Sequence, residues 1–313
     1  MGLIVGLEAL GQDHGPSAVS IGNFDGVHLG HRHVVQTLLS EAKQRQIHST
    51  VVTFEPLARE YFAPGSLARL TTLEEKAELL FALGVEYVLS IRFDQHLAAM
   101  SPANFIQKIL VEGLGTQFLS VGDDFKFGHQ RQGDFQTLEQ AGGVSGFVVQ
   151  RHDTFEIDGQ RVSSGRIRAA IENDKLADAR LLLGRDFSIS GEVAVGQKLG
   201  RTLSFPTANI ELGERVVPVR GVYAVQVKLA DQVDLIPGVA NVGFRPTVGG
   251  VDQRLEVHLF GFDRSIYGQM ITVYFKHKIR GEQKFASIEA LKAQIDNDAQ
   301  VAKQLLAYDP ELK

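Results

Sequence analysis

The 313-residue chain is 44% hydrophobic, enough to bury one large core or two moderate ones, and its length favours about two domains. A net charge of −5, with no long run of either sign, argues against electrostatic binding to nucleic acid or an anionic membrane. Zero cysteines exclude a disulfide framework, a thiolate metal site and a cysteine nucleophile. With no basic leader after Met1 and no apolar run near the ~20 residues that cross a bilayer, the chain reads as cytoplasmic.

From the N-terminus, β-rich apolar runs at Ala18 to Gly22, Ser49 to Phe54, Tyr87 to Ile91, Gln117 to Val121 and Gly146 to Gln150 alternate with helical patterns. Strand-helix alternation predicts a parallel sheet with both faces covered, an α/β module. The helix starts are punctuated: Thr72 and Glu75 form a capping box, and Ser101 precedes a proline at the first helical position. A stretch from Ser164 to Leu183 predicts one helix, ended by Gly184 as a C-cap. Beyond it, short β-branched strands at Ile189 to Val195, Val222 to Leu229, Leu235 to Val242, Leu255 to Phe260 and Met270 to Phe275 predict a mainly antiparallel barrel or sandwich. Ser287 to Ala307 has helical spacing and should pack on it. The boundary belongs near Gly184 to Asp186, giving domains 1–185 and 186–313.

In the first module, the strand ending at Gly22 runs into Asn23-Phe24-Asp25-Gly26-Val27-His28, and a helix starts near Gly30. A loop between a parallel strand and a helix N-terminus offers free backbone N–H groups and a favourable dipole to a nucleotide phosphate. His28 and His31 flank Gly30, so two imidazoles can serve one phosphorus as charge builds in adenylyl transfer. Two surface histidines at a helix start would look the same in isolation.

In the second module, Phe205-Pro206-Thr207-Ala-Asn209 reads as a turn that offers one hydroxyl and one amide oxygen. That sparse set suits Mg²⁺, which keeps water and substrate phosphates for most of its octahedron. An ordinary capped turn has the same composition. Glu256 leads a strand whose Leu255, Val257 and Leu259 alternate inward, and it can bring a carboxylate to Thr207 and Asn209 or simply face solvent.

Together these segments resemble the prokaryotic bifunctional riboflavin kinase/FMN adenylyltransferase family, also called FAD synthetase, over nearly the whole chain. Gly22 to His31 is similar to its nucleotidylyltransferase signature, and Val121 to Asp134 resembles its flavin- and nucleotide-contacting loop, which puts Asp124, Phe125, Phe127 and Arg131 at the site. Val162 to Arg168 matches a further ATP segment through Ser163, Ser164 and Arg168. Gly165 stands where the family has threonine, and Leu57 where it has histidine. The spaced set Gly196, Gly200, Arg201, Phe205, Pro206, Asn241 and Arg245, with Arg280 and Phe285 in the tail, resembles riboflavin kinase. Val195 and Ser204 depart from its usual residues. The resemblance implies a Rossmann-like nucleotidylyltransferase domain, then a β-barrel kinase domain with a C-terminal helix. It implies that Thr207 and Asn209 hold MgATP and that Glu256 is the base. Riboflavin and ATP would give FMN, and FMN and ATP would give FAD and pyrophosphate. The alternative is a kinase alone, its N-terminal module a degenerate scaffold.

Overall fold

The computed structural model describes residues 1–10, 15–65, 67–194, 205–213, 215–247 and 250–307, with the backbone alone at 245–247 and 250–252. Contacts divide the chain into two units, Met1–Leu67 with Thr71–Ser164, and Ala68–Leu70 with Gly165–Lys313.

The first unit carries β1 (Gly2–Val5), β2 (Ser17–Ile21), α1 (Leu29–Arg45), β3 (His48–Glu55), α2 (Ala58–Phe62), α3 (Leu73–Ala82) and β4 (Tyr87–Arg92). It continues through α4 (Gln95–Ala98), α5 (Pro102–Phe105) with a π-helical extension to Gly113, β5 (Thr116–Gly122), α6 (Phe135–Ser145) and β6 (Val148–His152). A two-stranded ribbon, β7 (Glu156–Ile157) and β8 (Gln160–Arg161), follows. The six main strands are parallel in the order β1-β4-β3-β2-β5-β6. Strand period two sorts the core: Ala18, Val51, Val88 and Phe118 meet Val35 and Leu38 of α1 and Leu80 of α3. Val19, Val52, Leu89 and Leu119 face the other way, onto Phe105, Ile109 and Leu138. The predicted strands are present within one or two residues, and Thr72 and Ser101 cap their helices as expected. The edge strand β1 and the β7-β8 ribbon were not predicted. Each is too short to show a period.

The chain order reverses between β2 and β5, which lie side by side with Ser20 opposite Ser120. Such a switch point opens a crevice beyond the carboxyl ends of the strands. The loops after these two strands carry the two N-terminal motifs.

The second unit holds most of α7 (Ser164–Glu172), then α8 (Leu176–Leu183), β9 (Ser188–Ala194), β10 (Ala208–Ile210), β11 (Gly221–Leu229), β12 (Ile236–Thr247), β13 (Gly250–Leu259), β14 (Met270–Arg280) and α9 (Ile288–Ala307). Six strands close an antiparallel barrel in the order β10-β13-β12-β11-β14-β9. The predicted single helix from Ser164 to Leu183 is two helices, because the chain turns at Asn173 to Lys175 with Asp174 in the left-handed region at φ 59°. Gly184 caps the second at φ 67°. Asp174 accepts from Lys278 Nζ (2.7 Å) and from the hydroxyl of the fully buried Tyr223 (3.2 Å). Burial pushes the Tyr223 hydroxyl up; burial also pulls Lys278 down, but its bonds to Asp174 and Tyr223 outweigh that and leave it raised. Helix α9 packs on β11, β12 and β14 through Ala299, Ala302 and Leu306.

Candidate functional site

Two regions carry the motifs. In the first unit, His28 is the N-cap of α1: its Nδ1 accepts from the His31 N–H at 3.3 Å. A neutral imidazole that accepts at Nδ1 carries its proton on Nε2, so that tautomer presents a donor. The rings of His28 and His31 stack at 3.6 Å, and Phe24 lies 4.9 Å from His31. A Cβ on Gly30 would come within 3.2 Å of the His28 ring, a tight contact that glycine avoids.

The rest of this loop is built from below. Phe24 is in the core, and Asp25 is 1% exposed. The Asp25 carboxylate accepts from the Thr71 N–H (3.0 Å) and hydroxyl (3.2 Å), the Thr71 hydroxyl accepts from the Gly26 N–H, and Ser164 Oγ donates to the Asp25 carbonyl (2.9 Å). Asp25 and Ser164, expected at the ligand, both make hydrogen bonds that hold the loop. Lys76, a lysine only 1% exposed, donates to Thr53 Oγ1 (3.0 Å), which donates to the Asn23 carbonyl (3.1 Å). Gly22 donates to Val52 O, fixing the loop's start on β3. Thr53, Thr71 and Lys76 carry no local signal, since their partners lie 23 to 46 residues away.

Of the loop after β5, Phe127 is buried against Phe105, with Phe125 stacked on it at 5.6 Å. Asp124 pairs with Arg161 of β8 at 2.9 Å, and that guanidinium holds its carboxyl below the usual range. Arg131 is exposed in the left-handed region at φ 58°. Ser163 lies just before α7, and Arg168 lies on α7 within the second unit. Leu57 is buried at the start of α2.

In the barrel, register does the assembling. Glu256 of β13 sits opposite Asn209 of β10 on one side and Asn241 of β12 on the other. Directly paired residues share a sheet face, so these three polar side chains form a row. They open with Thr207, Phe205 and Arg254 onto a cavity of about 400 Å³. Leu255, Val257 and Leu259 point into the core, as their alternation predicted. Asn209 is not in a turn, as the sequence suggested: it pairs with Ala194 and Glu256, and this three-residue strand closes the barrel. Thr207 directly precedes that strand.

Arg280 and Phe285 also line the cavity, and the Arg280 guanidinium lies 5.6 Å from the Phe285 ring. It is occupied by Asp298 of α9, with Nε and Nη2 donating at 2.9 and 2.7 Å. Gln294 donates to the same carboxylate. His258, two residues beyond Glu256, ends the segment from Leu255 that resembles riboflavin kinase and lines the cavity, though nothing in the sequence marks out a role for it; its Nδ1 meets the Pro206 carbonyl at 2.8 Å. Gly196, Gly200 and Arg201, with Val195 and Ser204, lie outside the described residues, as does the Arg245 side chain.

Comparison with known proteins gives two family matches, FAD synthetase over residues 10–166 and riboflavin kinase over residues 183–306. The chain is 48% identical to the bifunctional riboflavin kinase/FMN adenylyltransferase of Escherichia coli K12, over 97% of both chains. It is 47% identical to the Haemophilus influenzae protein of the same description, over 97% of this chain and 98% of that one. A crystal structure described as a macrolide-efflux protein from Streptococcus pneumoniae matches with TM-score 0.81 at 27% identity, over 97% of this chain and 99% of that one. Among the described residues no helix is long and apolar enough to cross a membrane.

Proposed function

We propose, from the premise that the chain belongs to the bifunctional riboflavin kinase/FMN adenylyltransferase family, a specific division of labour between its two sites. The enzyme phosphorylates riboflavin with ATP to FMN, then adenylylates FMN to FAD with release of pyrophosphate. Matches to both family models support this over a kinase with a scaffold attached. We assign phosphorylation to the barrel cavity and adenylylation to the crevice above β2 and β5, with modules divided near residue 185. The cytoplasm is the compartment this reading implies.

The row of Asn209, Glu256 and Asn241 carries the assignment. Glu256 takes the proton of the riboflavin 5′-hydroxyl as that oxygen attacks the γ-phosphorus and ADP leaves. Thr207 and Asn209 supply a hydroxyl and an amide oxygen beside it, a set that fits magnesium arriving on ATP. Among the described residues no three His, Cys, Asp or Glu side chains gather as a metal cage. When bound with ATP, magnesium would supply charge neutralisation at the phosphates. Phe205 and Phe285 give the flavin apolar wall. Arg280 contributes by fixing α9, and its side chain meets the cavity while held by Asp298.

In the first unit, His28 and His31 stabilise the charge on the α-phosphate as FMN attacks and pyrophosphate departs. Gly22 to Gly26 and Gly30 bring the backbone close, Asn23 and Ser163 offer polar groups, and Phe125 and Arg131 present the β5 loop to nucleotide and flavin. Phe24, Asp25, Asp124, Phe127 and Ser164 serve by bracing. The test is product analysis: wild-type protein with riboflavin, ATP and Mg²⁺ yields FMN and then FAD, whereas His28→Ala with His31→Ala accumulates FMN. FAD formation by that double variant at the wild-type rate would overturn the assignment.

A further inference from the structure

We propose that His258 is a positioning residue of the kinase site, holding the Phe205–Pro206 segment so that Thr207 is presented to ATP. This rests on the reading of Thr207 as a nucleotide ligand.

His258 follows Glu256 by two residues on β13, and the two share the cavity face. Its Nδ1 lies 2.8 Å from the Pro206 carbonyl oxygen. A carbonyl only accepts, so Nδ1 carries the proton and the imidazole is the donor. The ring also meets Phe205 edge-on at 5.0 Å and Phe260 at 5.7 Å. One side chain thus makes two contacts with the residues just before Thr207. The barrel ladder takes over only at Ala208, opposite Val257. Pro206, having no N–H, cannot extend that ladder upstream, so its carbonyl is the group by which the segment can be held.

Without the bond, Thr207 spends less of its time in the orientation that meets ATP, and apparent affinity falls by the competent fraction. The loss of one hydrogen bond corresponds to roughly three- to tenfold in KM for ATP. Turnover by Glu256 is spared, because Glu256 is held by its own strand pairing.

The experiment compares full-length wild type, His258→Ala, His258→Asn and Thr207→Ala. KM for ATP and kcat are measured for FMN formation, along with conversion of FMN to FAD. Hydrogen exchange is followed for the peptide spanning residues 205–213, with and without MgADP. His258→Ala should raise KM for ATP with kcat preserved, speed exchange in the peptide, and leave FAD formation from FMN unchanged. Asparagine can place its amide N–H near the imidazole Nδ1, so His258→Asn should recover most of both effects. Wild-type KM and exchange in His258→Ala, or alanine and asparagine variants that cannot be told apart, would overturn the proposal. If Thr207→Ala leaves KM and the MgADP-induced protection intact, the reading of Thr207 fails and the proposal with it. If Thr207→Ala impairs both and His258→Ala neither, only the role of His258 falls.

Discussion

Asp298→Ala is expected to destabilise the barrel unit and loosen the wall of its cavity. The Asp298 side chain is 4% exposed and the Arg280 side chain 17% exposed, joined by a two-nitrogen fork. Removing one partner of a buried pair leaves the other charge uncompensated and costs ~3–5 kcal/mol. Arg280 keeps a bond to the Gly281 carbonyl and some contact with water, which places the expected loss at the lower end, about 3 kcal/mol. For a unit of this size each kcal/mol lowers Tm by about 2–4 °C, so calorimetry should show a fall of roughly 6–12 °C in the barrel transition. Because α9 carries Leu291 and Ile295 to the cavity, KM for riboflavin should rise. Adding Arg280→Met to Asp298→Ala removes the stranded charge and should recover much of the stability. A shift of under about 2 °C in the single variant, or a double variant no more stable than the single, would show that the Arg280–Asp298 pair does not hold the barrel unit together.

A fragment from Asp186 to Lys313 should phosphorylate riboflavin unaided, but melt below one that starts at Gly165, because only the longer fragment keeps Asp174 for Lys278 and Tyr223. Equal melting of the two, or a folded fragment that makes no FMN, would contradict the division. Burial lowers the pKa of His152 from its ordinary 6.5, with the charge of nearby His33 adding to the effect. A depressed pKa means that the unfolded chain takes up the proton first. Stability is then full above about pH 6.5 and is lost as pH falls toward the folded value. His152→Gln, which can still meet Ser120, should flatten that part of a stability-versus-pH curve relative to wild type; an identical slope would remove His152 from the acid response.

The strands that the sequence revealed are a β-rich run such as Ser49 to Phe54, buried on both faces of the sheet, and an alternating one such as Leu255 to Leu259. Strand β10 was missed because its three residues show no period, and only its partners on β9 and β13 make it a strand. The break at Asp174 was hidden because Ala, Leu and Arg on both sides favour helix, while the turn is held by Tyr223 and Lys278, 49 and 104 residues away. His28, His31, Thr207, Asn209 and Glu256 stand out in the sequence because each sits in a compact motif. Residues that hold those motifs in place, such as Thr71, Lys76, His258 and Asp298, act through contacts distant in sequence. For the same reason, the sequence reads Asp25 as a ligand and gives no sign that its Oδ1 takes two bonds from Thr71.

In the proposed division, two chemistries occupy separate sites and Glu256 is the base of only one. The most direct measurement is the rate of each step in Glu256→Gln: FMN formation from riboflavin, and FAD formation from supplied FMN. The first should fall by ~10²-fold or more, the usual scale for a general base, while the second is unchanged. FMN formation at the wild-type rate, or equal loss of both steps, would contradict that division.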